Sequence, residues 1–178
     1  MFGISTFGWR RERNPAMAIL VSDTSVLIDL ERGQLLEPMF TCGLVLVVPD
    51  YLYQTELEPD NGPYLRALGL GVLTLNPEEV TLVQATRSRR NSLSLPDCFA
   101  LVCALRDGHI LLTGDGNLRA EAELQGAQVR GLLWALDQIE ASGRFSNATL
   151  HSALSQIAGH KRCRLPKNEV SVRLTKWG

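Results

Sequence analysis

The sequence predicts an α/β protein with a mainly parallel sheet of about five strands, covered by helices on both faces. Three observations point there. Short apolar runs alternate with segments of helical periodicity along most of the chain. The strand candidates are continuously apolar rather than alternating, as burial on both faces requires. The 178 residues are 45% hydrophobic, enough for one full core.

The elements follow in order. Ala18 to Ser22 is the first strand, ended by Asp23. Thr24 to Glu31 carries Val26, Leu27 and Leu30 at helical spacing and stops at Gly33. Leu44 to Val48 is the second strand, closed by Pro49, and Asp50 is placed to cap a helix holding Leu52, Tyr53, Glu56 and Leu57. After the breaker Asn61-Gly62-Pro63, Tyr64 to Leu70 reads as helix and Gly71 to Leu75 as the third strand. Pro77, with Glu78 and Glu79 behind it, starts a helix reaching about Arg89. Ser94-Leu95-Pro96-Asp97 opens the next, with Phe99, Leu101, Val102 and Leu105 on its buried face. His109 to Thr113 is the fourth strand and Gly114-Asp115-Gly116-Asn117 a polar turn. Leu118 to Gln125 is helix, Ala127 to Arg130 a short fifth strand, and Leu132 to Ile139 helix. Beyond Gly143 come a helix over Ala148 to Ile157 and a final strand over Val170 to Leu174.

The chain divides into an N-terminal extension, 1–16, a catalytic body, 17–142, and a C-terminal tail, 143–178. The net charge of −1 hides a gradient. Residues 17–150 carry nine arginines against seventeen acids, whereas residues 151–178 carry six basic residues against Glu169. A basic tail on an acidic body can hold a polyanion near an acidic site, or it can simply be solvated. No apolar run approaches the roughly 20 residues of a membrane span, and the start of the chain lacks a secretory pattern. Cys42, Cys98, Cys103 and Cys163 form no C-x-x-C pair, which argues against structural zinc and for free thiols in a cytoplasmic protein.

The informative feature is where the acids fall. Asp23 follows the first strand and Asp115 the fourth. Asp97 opens the helix leading into the fourth, and Glu56 lies on the helix after the second. Ligands of parallel sheets bind beyond the carboxyl ends of the strands, so all four acids can face one crevice. Singly, each has a plainer role: the aspartates stand at helix starts, where carboxylates cap amides, and Glu56 can be solvated. Jointly, four carboxylates repel one another, and a divalent cation removes that cost. Oxygen ligands without nearby histidine favour Mg2+ or Mn2+ over zinc. Other α/β sites are excluded: no Gly-Lys pair exists for a P-loop, Gly114-Asp115-Gly116 lacks the last glycine of a dinucleotide turn, and Lys161, the first lysine, comes too late for a phosphoacceptor pocket.

Val21-Ser22-Asp23-Thr24-Ser25-Val26-Leu27-Ile28 resembles the opening motif of PIN domains. Leu95 to Leu101 (LPDCFAL) is similar to their third-acid helix, and Leu112 to Leu118 (LTGDGNL) to their Thr-x-Asp strand end. Gly126 to Asp137 is similar to the segment that follows. The resemblance covers about residues 17–142. It implies an α/β/α sandwich, a metal-dependent ribonuclease and one or two divalent ions. Asp23, Asp97 and Asp115 match the family aspartates and Glu56 the second acid, with Glu58 two residues away. Ser25, Thr113 and Asn117 match supporting polar positions. Arg87, Arg89 and Arg90, then Arg119, are candidate RNA contacts, although a basic helix end equally complements the helix dipole. The resemblance further implies the toxin half of a toxin–antitoxin pair: a homodimeric endoribonuclease held inactive by a small antitoxin protein. A catalytically weak metal- or RNA-binding scaffold is the alternative. Leu65, Leu68 and Leu70 can serve a partner interface or the core.

Overall fold

The structure is a computed structural model that describes residues 18–178; the extension expected over 1–16 lies outside the described residues. Five parallel strands form one sheet in the order β3-β2-β1-β4-β5: β1 Ile19–Ser22, β2 Val45–Pro49, β3 Gly71–Leu73, β4 His109–Leu112 and β5 Val129–Arg130. The central strand β1 aligns Ile19 with Val45 on one side and with His109 on the other. From β1 the chain first builds outward through β2 and β3, then crosses back to lay down β4 and β5 on the opposite flank. The order in which strands are added therefore reverses between β1 and β4, the place where a crevice opens at the strands' carboxyl ends.

Helices α1 (Thr24–Arg32), α2 (Leu36–Thr41), α4 (Gly62–Leu68), α8 (Leu132–Ala141) and α9 (Asn147–Ala158) pack among themselves on one face. On the other, α6 (Leu95–Ala104) lies over β1, β2 and β4, flanked by α3 (Asp50–Leu52), α5 (Pro77–Arg89) and α7 (Gly116–Leu124). This is the expected three-layer α/β/α sandwich. Leu20, Leu46, Leu111 and Leu112 are fully buried in the sheet, and Leu30, Leu101 and Leu136 in the helices above and below it.

Local chemistry explains most boundaries. Asn76 and Glu79 form a reciprocal capping box at the start of α5, and Ser94 and Asp97 do the same for α6, each helix carrying proline in its first turn. The structure departs from the sequence reading in three places. Asp50 does not cap from outside: Pro49 holds the cap position, and Asp50 is already helical, its Oδ1 accepting from Tyr51 N at 2.7 Å. Helix α2 escapes sequence reading because its cap, Leu35, has no capping side chain and Pro38 interrupts its short run.

The third correction concerns the end of the chain. Val170 to Leu174 is not a strand but the middle of α10 (Lys167–Trp177). The short β-branched alternation misleads, because the buried positions are Val170 and Trp177, seven residues apart on one helical face. Between them Arg173 grips Asp137 of α8 with Nε and Nη2 at 2.8 and 2.6 Å, and Lys176 reaches Glu140 at 2.7 Å. Part of the tail's positive charge thus ties α10 to α8. Leu150, Ala153, Leu154 and Ile157 of α9 join the same buried cluster as the sheet residues.

Candidate active site

Asp23 stands one residue beyond β1, its N–H donating to Leu112 O of β4 at 3.1 Å. That bond continues the β1–β4 ladder past the strand end and fixes the aspartate over the crevice. Asp23 as a whole is only 4% exposed. Its Oδ1 accepts from Val26 N at 3.0 Å, capping α1, and from Ser25 Oγ at 2.9 Å. Its Oδ2 accepts a short hydrogen bond from the Thr113 hydroxyl. Thr113 Oγ1 in turn accepts from Asp115 N at 3.0 Å. One buried hydroxyl thus joins the ends of β1 and β4.

Asp115 caps α7 through Oδ1, which accepts from Leu118 N at 2.8 Å. Asp97 caps α6 through Oδ2, which accepts from Ser94 N at 3.0 Å. The capping roles expected for the three aspartates are therefore real, but they use only part of each group. Among the described residues, Asp97, Asp115 and Glu56 each have one carboxylate oxygen that accepts no hydrogen bond, and none of the four acids forms an ion pair. Burial pushes the Asp23 carboxyl above its ordinary value; hydrogen bonds from Thr113, Val26 and Ser25 oppose the rise, and the nearby charge of Asp97 adds to it.

Glu56 arrives by a different route. Helix α3 runs into a π-helical turn, Tyr53–Leu57, which re-aims the side chains after β2. Glu56 is exposed, and its Oε2 accepts a short hydrogen bond from the hydroxyl of Thr24, the neighbour of Asp23. Tyr51 stacks on Phe99 at 4.6 Å between ring centroids, which holds the element carrying Glu56 against the helix carrying Asp97. Thr24 and the π turn are the contributions sequence reasoning missed. Thr24 was legible only as the residue after Asp23; the π turn leaves no signal in the residue pattern.

Gly62 protects this arrangement. A Cβ there would stand 2.8 Å from both the carbonyl carbon and the oxygen of Leu57. Gly62→Ala should therefore push α4 off the turn that carries Glu56. We expect a stability loss of about 1–3 kcal/mol, measured by thermal melts. A variant that melts like the parent would mean the turn does not depend on this contact.

The remaining candidates are placed as follows. Ser25 and Thr113 both touch Asp23, whereas Asn117 is exposed and makes no side-chain hydrogen bond among the described residues. Arg89 Nη2 and Arg90 Nε donate to the two oxygens of Glu121 at 2.8 and 2.6 Å, so their charge is engaged with a carboxylate that is fully buried. Arg87 donates to Asn91 O beyond the end of its own helix. Arg119 donates to Thr113 O at 3.4 Å, beside the acids. Glu58 is exposed, and Leu65 and Leu70 are core residues.

Whether these groups suit a divalent ion follows from their chemistry. Among the described residues no three carboxylate, imidazole or thiol groups stand close enough together to enclose an ion as placed. The donors are nonetheless of the right kind: carboxylate and hydroxyl oxygens, with no cationic side chain paired to any of the acids. A buried, unpaired Asp23 is a carboxylate whose charge lacks compensation, which a hard cation supplies.

A family model described as a PIN domain matches residues 19–178. The match runs past residue 142, where the motif resemblance ends, and takes in α9 and α10. No curated protein matches the chain. No helix among the described residues is long and apolar enough to cross a membrane.

Proposed function

Because this chain belongs to the PIN-domain family, a nuclease-type family, we propose that it is a Mg2+- or Mn2+-dependent endoribonuclease that hydrolyses RNA phosphodiesters. The observation that carries the reading is Asp23: a buried carboxylate without a cationic partner among the described residues, joined through Thr113 to Asp115 at the ends of adjacent strands. Asp23 and Asp115 would hold the ion, with Asp97 and Glu56 completing its surroundings. A divalent cation held here would supply Lewis acidity, bringing the pKa of water toward neutrality and offsetting charge on the phosphate.

The chain's own residues do the rest. Thr113, Ser25 and Val26 fix both oxygens of Asp23, so the carboxylate is positioned before substrate arrives. Glu56, exposed and anchored through one oxygen by Thr24, has its other oxygen available to accept a proton from the attacking water. RNA is the expected substrate, a small antitoxin protein the expected inhibitor and a homodimer the expected assembly, as for the toxin of a toxin–antitoxin pair.

The capping bonds of all three aspartates favour a second reading, a PIN-like scaffold that keeps the acids for folding alone. Labelled single-stranded RNA separates the two. The nuclease cuts it with Mg2+ or Mn2+ and stops in EDTA. Intact RNA under every metal condition, with Mn2+ binding still measurable, would select the scaffold.

A further inference from the structure

A pocket of about 520 Å³ adjoins the acids and is not used by the chemistry above. It is within the range of about 300–1,000 Å³ typical of small-molecule sites. Thr113 and Gly114 form the side it shares with the acid site; Arg119, Trp134 and Arg164 are among the residues that line the rest, with Asp137 and Glu169 beside Arg173. The Arg119 guanidinium enters beside Gly131, where a Cβ would lie 3.3 Å from Nη2. Arg173 also lines the pocket, but Asp137 and Glu169 compensate it, whereas the one acid that Arg119 meets among the described residues is the half-exposed Glu123, at 3.7 Å along its own helix. Arg164 is exposed and forms no ion pair among the described residues. Trp134 is half-buried on the wall.

With Arg173 balanced by Asp137 and Glu169, a concave site that keeps two further guanidinium groups and an indole, opening next to the proposed phosphodiester chemistry, matches a nucleotide in both charge and shape. Guanidinium groups bind phosphate, and aromatic rings stack bases without regard to sequence. We propose that this pocket is a nucleotide subsite for single-stranded RNA, holding the residue beside the scissile phosphate, with Arg119 and Arg164 on phosphate and Trp134 against the base. The inference rests on the nuclease reading and adds a place for the strand. It also gives the linker before α10 a role that the ion pairs of Arg173 and Lys176 do not explain.

The test is the affinity of the full-length protein for a fluorescein-labelled 12-nucleotide RNA, measured by anisotropy in EDTA across a salt series. Arg164→Ala lies on an exposed linker and should fold normally. It should weaken binding about tenfold and reduce the magnitude of the salt slope by about 0.7, one phosphate contact on a single strand. Trp134→Leu should weaken binding by a similar factor, and 4-thiouridine RNA should crosslink to the peptide containing Trp134. Lys161→Ala, in the same tail but outside the pocket, should have a smaller effect. Equal RNA affinity for the parent and Arg164→Ala would overturn the subsite while leaving metal-dependent cutting by the parent intact. Binding of an acidic peptide that falls with Arg164→Ala, with RNA unaffected, would overturn it in favour of a protein partner. Failure of the parent both to bind and to cut RNA would remove the nuclease reading and the subsite together.

Discussion

Replacing Asp23 with Asn should abolish metal-dependent cutting and at the same time raise the melting temperature of the metal-free protein. The two effects have one cause. Asp23 is held at the end of β1 by the ladder bond to Leu112 and by three hydrogen bonds, in a position that strips its carboxylate of water. Because burial raises its pKa, the folded state binds the Asp23 proton more tightly than the unfolded chain does. The sign follows from linkage: stability from this group is greatest below the ordinary aspartate pKa and falls as pH rises through the elevated one. At pH 7, above the ordinary aspartate value, burying this carboxyl therefore costs the fold free energy relative to a neutral side chain. Asparagine keeps an oxygen for Val26 N and Ser25 Oγ but carries no charge.

Activity should drop by at least about 100-fold, since even removing a group that only supports a metal ligand costs about 10- to 100-fold. Mn2+ should raise the melting temperature of the parent, by about 2.7 kcal/mol of stabilisation at a hundred times its dissociation constant. The Asn variant should respond far less. Calorimetry of both proteins with and without Mn2+, beside the RNA assay, checks the whole chain of reasoning. An Asn variant that still cuts would show that Asp23 is not a ligand, and a metal-free variant that melts below the parent would show that the hydrogen bonds of Asp23 outweigh the cost of its buried charge.

Much of this site was legible because β1 and β4 each end in a polar residue after an unbroken apolar run. Val21-Ser22-Asp23 and Leu112-Thr113-Gly114-Asp115 mark their own strand ends, and adjacency in a parallel sheet brings the ends together. The helices α5 and α6 were equally plain, since capping residue, proline and acid stand at fixed offsets. What stayed hidden depends on contacts distant in sequence. The Thr24–Glu56 bond joins residues whose proximity only the β1–β2 pairing creates. The engagement of Arg89 and Arg90 could not be read either, because Glu121 lies about thirty residues away on α7 and looks like any surface acid. In α10, the buried spacing of Val170 and Trp177 competed with a local β-branched run, and packing on α8 and α9 decided the outcome.

Glu121 carries the second large effect, and it acts on stability. Its carboxylate is fully buried, yet it is covered by the guanidinium groups of Arg89 and Arg90, whose side chains remain 54% and 47% exposed. Hydrogen bonds from Arg90, Arg89 and Gln125 bring its pKa down to about 2. Glu121→Gln places an amide donor against a guanidinium donor and removes the charge that holds α7 to the end of α5. A buried pair broken on one side costs about 3–5 kcal/mol, but the arginines here can turn to water, which reduces the loss to about 2 kcal/mol. The melting temperature should fall by about 5 °C. Because the folded pKa is depressed, this stabilisation is present above the ordinary glutamate range and lost as pH falls through about 2. The gap between parent and variant should thus be constant from pH 6 to 8 and shrink steadily below about pH 4.5. The Glu79–Arg106 pair titrates in the same acid range but is common to both proteins and cancels in the difference. Cutting rates per folded molecule should change little, since Glu121 touches none of the four acids. A gap that persists undiminished at pH 3 would mean that shape at position 121, rather than charge, holds the two helices together.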